Sequence, residues 1–152
     1  MGTKNTSFST TIAFSKTPQE VSQAMTVDVP KWWGGMDFSG SSKKPNDEFT
    51  IHHPQTHYSK QRVEIISDRK IVWFVEESTL HWLKGNKQEW TGTKMVFELS
   101  VVGNDTLLHF THEGLIPEME CYEQCALGWT LVLKDWLFNF IEENKPHFLN
   151  LE

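Results

Sequence analysis

The chain has 152 residues, enough for one domain with a sizeable core. Its formal charge of −6, with acids and bases mixed along the chain, speaks against a nucleic-acid binder, which would show a basic face. No apolar run approaches the ~20 residues of a membrane span, and the polar stretch from Met1 to Thr11 lacks the apolar centre of a signal peptide.

Met1, Gly2 and Thr6 fit a loose myristoylation pattern, short enough to arise by chance. From Phe8 to Phe14 the chain alternates. Phe8, Thr10, Ile12 and Phe14 point one way, which predicts a half-buried strand. Thr17-Pro18-Gln19-Glu20 is a capping box with proline at the first helical position. The helix it opens carries Val21, Ala24 and Met25 on one face. A second short helical turn is expected over Pro30, Lys31, Trp32 and Trp33, closed by Gly34-Gly35.

Strands and turns follow as far as Glu113. Asp37 to Gly40 reads as a short strand and Ser41 to Asn46 as a polar connector. Glu48 to His52 is a strand with Phe49 and Ile51 on one face; Gln61 to Ile66 is another, with Val63 and Ile65 together. Asp68-Arg69 turns the chain into a strand begun by Ile71, Trp73 and Val75, which Thr79 to Leu83 continues. Gly85-Asn86 is a hairpin signal. Thr91 to Val101 alternates throughout, and Gly103-Asn104 turns again. Leu108, Phe110 and His112 then share a face. His52, His53 and His57 lie near Asp47 and Glu48, but His57 follows Pro54 in what reads as a solvated loop, so no metal site is specified.

The last element is a long helix, predicted from Pro117 to Glu143. Tyr122, Cys125, Trp129, Val132, Trp136 and Phe140 form its inner stripe. Glu118, Glu120 and Glu123 suit its positive end, and Asn144, Lys145 and Pro146 stop it. Leu127, Leu131 and Phe138 make a second, narrower strip on the opposite side, a candidate interface with a second copy or another protein. At ~1.5 Å per residue the helix would run ~40 Å and needs a broad concave partner. The element order therefore predicts an α+β domain over residues 1–152. A coiled antiparallel sheet of about six or seven strands wraps the long helix, and two short helices follow the first strand. Cys121 and Cys125 are the only cysteines, four apart on the helix, and point to free thiols in a reducing, cytoplasmic setting.

Several stretches, in order, match a known family. They are Trp32-Trp33-Gly34, Asp47 to Ile51, Ile71-Val72-Trp73, Trp90-Thr91-Gly92-Thr93 with Phe97-Glu98-Leu99, Phe110 to Leu115, and Gly128-Trp129. The chain resembles the small single-domain relatives of the C-terminal domain of the Hsp90 ATPase activator, in the START-like (SRPBCC), helix-grip superfamily. The resemblance implies a helix-grip fold with a cavity between sheet and long helix, of the kind that holds lipids, sterols, polyketides or plant phenolics. It does not carry ATPase activation over, because the activator also uses a separate N-terminal domain.

Aromatic residues make up 12% of the chain, which supports a ring-lined cavity as well as a heavy core. Trp33, Trp73, Phe97, Phe110, Trp129 and Trp136 are the candidate lining residues. Thr93, His112 and Tyr122 are the polar candidates: His112 for orienting a ligand or moving a proton, the others for presenting hydroxyls. Glu113 either caps the loop after it or pairs with a neighbouring base. No cofactor or metal is implied. The expected function is non-catalytic binding of a small hydrophobic molecule. A cyclase-type enzyme using His112 or Glu113, and a chaperone-related interaction module using the outer strip, are the alternatives.

Overall fold

Strand β1 spans Phe8–Phe14 in the computed structural model, which describes residues 7–33 and 37–144. The capping box then opens helix α1, Pro18–Thr26. The Glu20 amide donates to Thr17 Oγ1 at 3.1 Å, and the Thr17 amide donates to Glu20 Oε1 at 2.9 Å. Val21, Ala24 and Met25 are buried, as their spacing predicts. Helix α2, Val29–Trp32, is one turn; its buried Trp32 donates the indole N–H to Ala24 O at 2.8 Å. Gly34-Gly35, Lys145-Pro146 and the start Met1, Gly2, Thr6 lie outside the described residues.

Six more strands follow: β2 (Asp37–Gly40), β3 (Glu48–His53), β4 (His57–Ile66), β5 (Lys70–Leu80), β6 (Lys94–Val102) and β7 (Asp105–Glu113). Among the described residues they form one seven-stranded antiparallel sheet, ordered β1-β7-β6-β5-β4-β3-β2. The first strand thus lies beside the last, and each later strand pairs with its chain neighbour. Leu108, Phe110 and His112 of β7 all face the buried side.

Strands β4 and β5 depart from the sequence reading. β4 begins at His57, so His57 is a buried strand residue and not part of a solvated loop. A shift in pairing register between Val63 and Ile65 turns Ile65 outward, 41% exposed, while Val63 is fully buried. The two therefore do not share a face. β5 stops at Leu80 instead of running to Leu83, and the Leu80 amide donates to Lys87 O at 2.7 Å across the connection that follows.

The C-terminal helix begins at Tyr122, not Pro117. Before it, the amides of Met119 and Tyr122 donate to carbonyls three residues back, which makes turns and not a continuous helix. The helix runs as α3 (Tyr122–Leu131), a π segment (Val132–Leu137) and α4 (Phe138–Glu143). In the π segment the Phe138 amide reaches Leu133 O, five residues back. One extra residue in a turn moves everything after it by about 100° around the axis. Phe138 is thereby carried inward and stacks on Phe14 of β1 with centroids 5.7 Å apart. Leu127 and Leu131 stay outside, 65% and 45% exposed. The predicted three-residue outer strip does not form. Asn144, at φ 54°, ends α4 with a left-handed cap.

Rings occupy most of the space between sheet and helix. Trp73 meets Phe49 at 4.9 Å and Phe97 at 4.7 Å, Phe97 meets Phe110 at 5.1 Å, and Phe110 meets Trp129 at 4.5 Å. Burying each such side chain is worth about 2–3 kcal/mol, so this chain of rings is a major part of the core.

Candidate functional site: a tryptophan-walled cavity and the histidine behind it

His112 projects from β7 into the core and is completely buried. The Trp129 indole N–H donates to its Nδ1 at 3.0 Å. An imidazole that accepts at Nδ1 and is neutral carries its proton on Nε2. That Nε2–H faces Thr93 Oγ1 at 2.8 Å, and Thr93 Oγ1 in turn donates to Trp90 O at 2.5 Å. One proton-ordered line therefore runs from α3 through β7 to the loop before β6. Burial holds the His112 pKa down to about 3, so the ring is neutral near pH 7. Both its nitrogens are spent inside the protein. Gly114 lets the line close. Its φ is +99°, and an added Cβ would come within 2.7 Å of Thr93 Cγ2.

On the other side of Trp90 and Trp129 lies a cavity of about 160 Å³. Three indoles wall it: Trp33 from the end of α2, Trp90 from the loop before β6, and Trp129 from α3. Trp90 and Trp129 stack nearly parallel, centroids 5.9 Å apart at 8°, and Trp33 meets Trp129 at 5.4 Å. Leu80 and Val132 complete the apolar wall, while Thr56, Trp82, Gln124 and Gly128 stand toward solvent. Two polar side chains are built into it. Cys125 Sγ accepts the Trp90 indole N–H at 3.3 Å. His57, 6% exposed, lies edge-on to Trp90 at 4.9 Å, with Nε2 on Ser59 Oγ at 2.8 Å. Burial first, then the neighbouring His52, His53 and His81, lower its pKa to about 3. Two larger depressions, about 420 and 310 Å³, are open grooves lined mostly by polar side chains of α1 and its neighbours.

Two carboxylates fix the loop that carries Trp82 and Trp90. Glu89 accepts the amides of Glu120 and Cys121 at 3.1 and 3.0 Å. Glu120 accepts the amides of Lys84 and Gly85, both at 3.0 Å. The first pair caps the start of α3, where Cys121 offers no side-chain cap of its own.

The same layout occurs in solved structures. The solution structure of the Aha1 dimer from Colwellia psychrerythraea matches with a TM-score of 0.72 and 21% identity, covering 90% of this chain and 96% of that one. The fold is the START-like helix grip. CalU16 from Micromonospora echinospora matches at 0.61 and 16% identity, over 90% of this chain and 76% of that one. DynU16, from the dynemicin biosynthetic locus, matches at 0.67 and 14% identity; 93% of this chain is covered but only 50% of DynU16, so the chain spans half its length. No protein-family model and no curated protein matches the chain.

Within this helix grip the structure divides the sequence candidates. Trp33 and Trp129 line the cavity. Trp73, Phe97 and Phe110 are fully buried in the ring core away from it, and Tyr122 and Trp136 pack partly buried against that core. Thr93 and His112 stand behind the wall, bonded to each other, and Glu113 is exposed. Trp90, His57, Leu80 and Val132 were not among the candidates. Trp90 stood in the matched stretch Trp90 to Thr93, and that was its available signal. His57 looked like loop because Pro54 precedes it. The cysteines are free thiols. No helix among the described residues is long and apolar enough to cross a membrane.

Proposed function

We propose that this protein binds a compact planar aromatic molecule in the indole-walled cavity, without chemical turnover. The volume carries the reading. About 160 Å³ is close to the engineered ~150 Å³ apolar cavity that holds benzene, and well below the ~300 Å³ where drug-sized sites begin. One fused ring pair would fill it; a sterol, a fatty acid or a folded polyketide chain would extend past Thr56, Trp82 and Gln124 into solvent. The indoles of Trp33, Trp90 and Trp129 along its wall suit a flat apolar body. A cyclase reading has less support, because His112 has no free nitrogen and does not touch the cavity. The chain acts as one domain, and free Cys121 and Cys125 suit a reducing, cytoplasmic location.

The test is a titration of isotope-labelled protein with indole, toluene and naphthalene, set against cholesterol and palmitate. Saturable shifts of the Trp33, Trp90 and Trp129 indole signals with the small rings alone are expected. Binding of palmitate or cholesterol with no response to any small ring would overturn the reading.

A second reading rests on Leu127 and Leu131, exposed on the outer face of α3. They suit contact with a second copy of the chain, and the similar Aha1 structure is of a dimer. Light scattering on the wild type and on Leu131→Glu tests this. A monomeric mass in both removes it.

A further inference from the structure

The cavity wall carries a thiol whose sulfur is set up as an acceptor. Cys125 lines the cavity and is 8% exposed. The Trp90 indole N–H donates to its Sγ at 3.3 Å. Cys121, one turn back and fully buried, gives its thiol proton to the same sulfur. Hydrogen bonds given to a sulfur favour the thiolate, which is the nucleophilic form. Cys121 itself does not line the cavity.

A second polar group stands on this wall against the same indole. His57, 6% exposed, lines the cavity and lies edge-on to Trp90 at 4.9 Å. Its Nε2 is taken by Ser59 Oγ at 2.8 Å, and its Nδ1 shows no hydrogen bond to a described residue. Nor is His57 Nδ1 one of the sealed, unpartnered polar atoms, which are Trp33 Nε1, His53 Nδ1, Gln61 Oε1 and Trp73 Nε1. With the Ser59 hydroxyl donating to Nε2, Nδ1 holds the ring proton and can donate to an oxygen. A plain hydrocarbon uses neither the thiol nor the imidazole. A carbonyl conjugated through a double bond to a ring has a use for both. Its β carbon is a soft electrophile, and its oxygen gathers charge as a thiol adds.

We propose that Cys125 is a covalent capture site for a conjugated aromatic carbonyl held in the cavity. The reaction is an addition. The Sγ–C bond forms at the β carbon, and the electron pair of the double bond moves through the carbonyl to its oxygen. The thiol proton leaves to water, and the α carbon takes one proton back from water. No oxidant, reductant or leaving group takes part, and the reverse step frees the molecule. This rests on the aromatic-ligand reading above and adds to it a bond and the residue that makes it.

Benzylideneacetone carries both the ring and the enone. Benzylacetone has the same body with the double bond saturated, and methyl vinyl ketone has the enone without the ring. Each enone's rate of addition is followed by intact mass and peptide mapping and divided by its rate with glutathione. Benzylideneacetone is expected to give a single adduct, at Cys125, with that ratio about tenfold above the ratio for methyl vinyl ketone. Benzylacetone should leave the mass unchanged and slow the addition as a competitor. Cys125→Ser should take up no benzylideneacetone; should this variant fail to fold, the mapped position in the wild type decides. An adduct at Cys121 or at lysine instead, or equal ratios for the two enones, overturns the capture assignment. Shifts of the indole signals by benzylacetone or toluene, with no adduct from benzylideneacetone, also overturn it and leave the aromatic reading standing. No adduct and no indole shift from any of these compounds overturns both.

Discussion

Glu89 accepts the amide of Glu120, and Glu120 in turn grips the start of the loop that carries Glu89. The Glu89 carboxylate takes the amides of Glu120 and Cys121, and the Glu120 carboxylate takes those of Lys84 and Gly85. Carboxylate-to-amide bonds are charge-assisted and stronger than neutral ones. The clasp ties the loop carrying Trp90 to the helix carrying Trp129, so it sets the separation of two cavity walls.

Glu89→Ala should uncap α3 first. The Glu120 and Cys121 amides are expected to exchange hydrogen roughly tenfold faster, with the β7 amides unaffected. Residue-resolved exchange measures it, and unchanged protection at both amides would show the clasp to be incidental. The partner carboxylate adds a pH sense. Bonds from Lys84 and Gly85 lower the Glu120 pKa, so its contribution is present above the unfolded value and fades as pH falls through the lowered one.

Acid should weaken the fold well before carboxylates titrate. His57 and His112 are buried and lowered to about 3 from an ordinary value of 6.5. The unfolded chain therefore takes up protons first. The stabilisation is complete above pH ~6.5 and is lost as pH falls from there toward ~3. At pH 5 each histidine costs about 2 kcal/mol relative to pH 7, or about 4 kcal/mol for the two. Urea denaturation at the two pH values checks this, and an unmoved midpoint would mean that these rings are not held neutral.

Two glycines should respond in opposite directions. Gly128 lies inside α3, and an added Cβ meets no heavy atom within 4 Å. Gly128→Ala is expected to raise Tm by about 2 °C through helix propensity. Gly114→Ala should cost about 2 kcal/mol, from its positive φ and from pressure on Thr93. Thermal melts of the two variants read this, and a lowered Tm for Gly128→Ala would contradict the open space above it.

Cys125 should react before Cys121. Cys125 is 8% exposed on the cavity wall and Cys121 is fully buried. The Cys121 thiol, and then the Trp90 N–H, lower the Cys125 pKa, while the same contact and burial push Cys121 up. Iodoacetamide followed by peptide mass mapping should label Cys125 first, and toluene at saturation should slow it. Labelling of Cys121 first would contradict the assigned wall.

Much of the architecture was legible because its signals are local. The alternation of Phe8 to Phe14, the Thr17–Glu20 box and the phase of Leu108, Phe110 and His112 each depend on neighbours in sequence. The cavity depends on distant ones. Trp33, His57, Trp90 and Cys125 come from four separate elements and meet only after the sheet coils. The errors were also non-local. Ile65 turned outward because of a pairing shift against β5, and Phe138 turned inward because of an added residue in the helix. His112 was correctly placed facing inward, but its phase could not show that Trp129 and Thr93 would take both its nitrogens.

The wide turn at Val132–Leu137 works as a fixed coupling between two shafts. Ahead of it, α3 is set by Trp129 and Cys125 at the cavity; behind it, α4 is set by Phe138 on Phe14 and by Glu142 on the Ser15 hydroxyl at 2.6 Å. Removing one residue from it would leave an unbroken helix whose two ends demand settings about 100° apart. The helix could then satisfy the cavity or the first strand, but not both. The chain's length between Trp129 and Phe138 is therefore as tightly specified as any side chain in the wall.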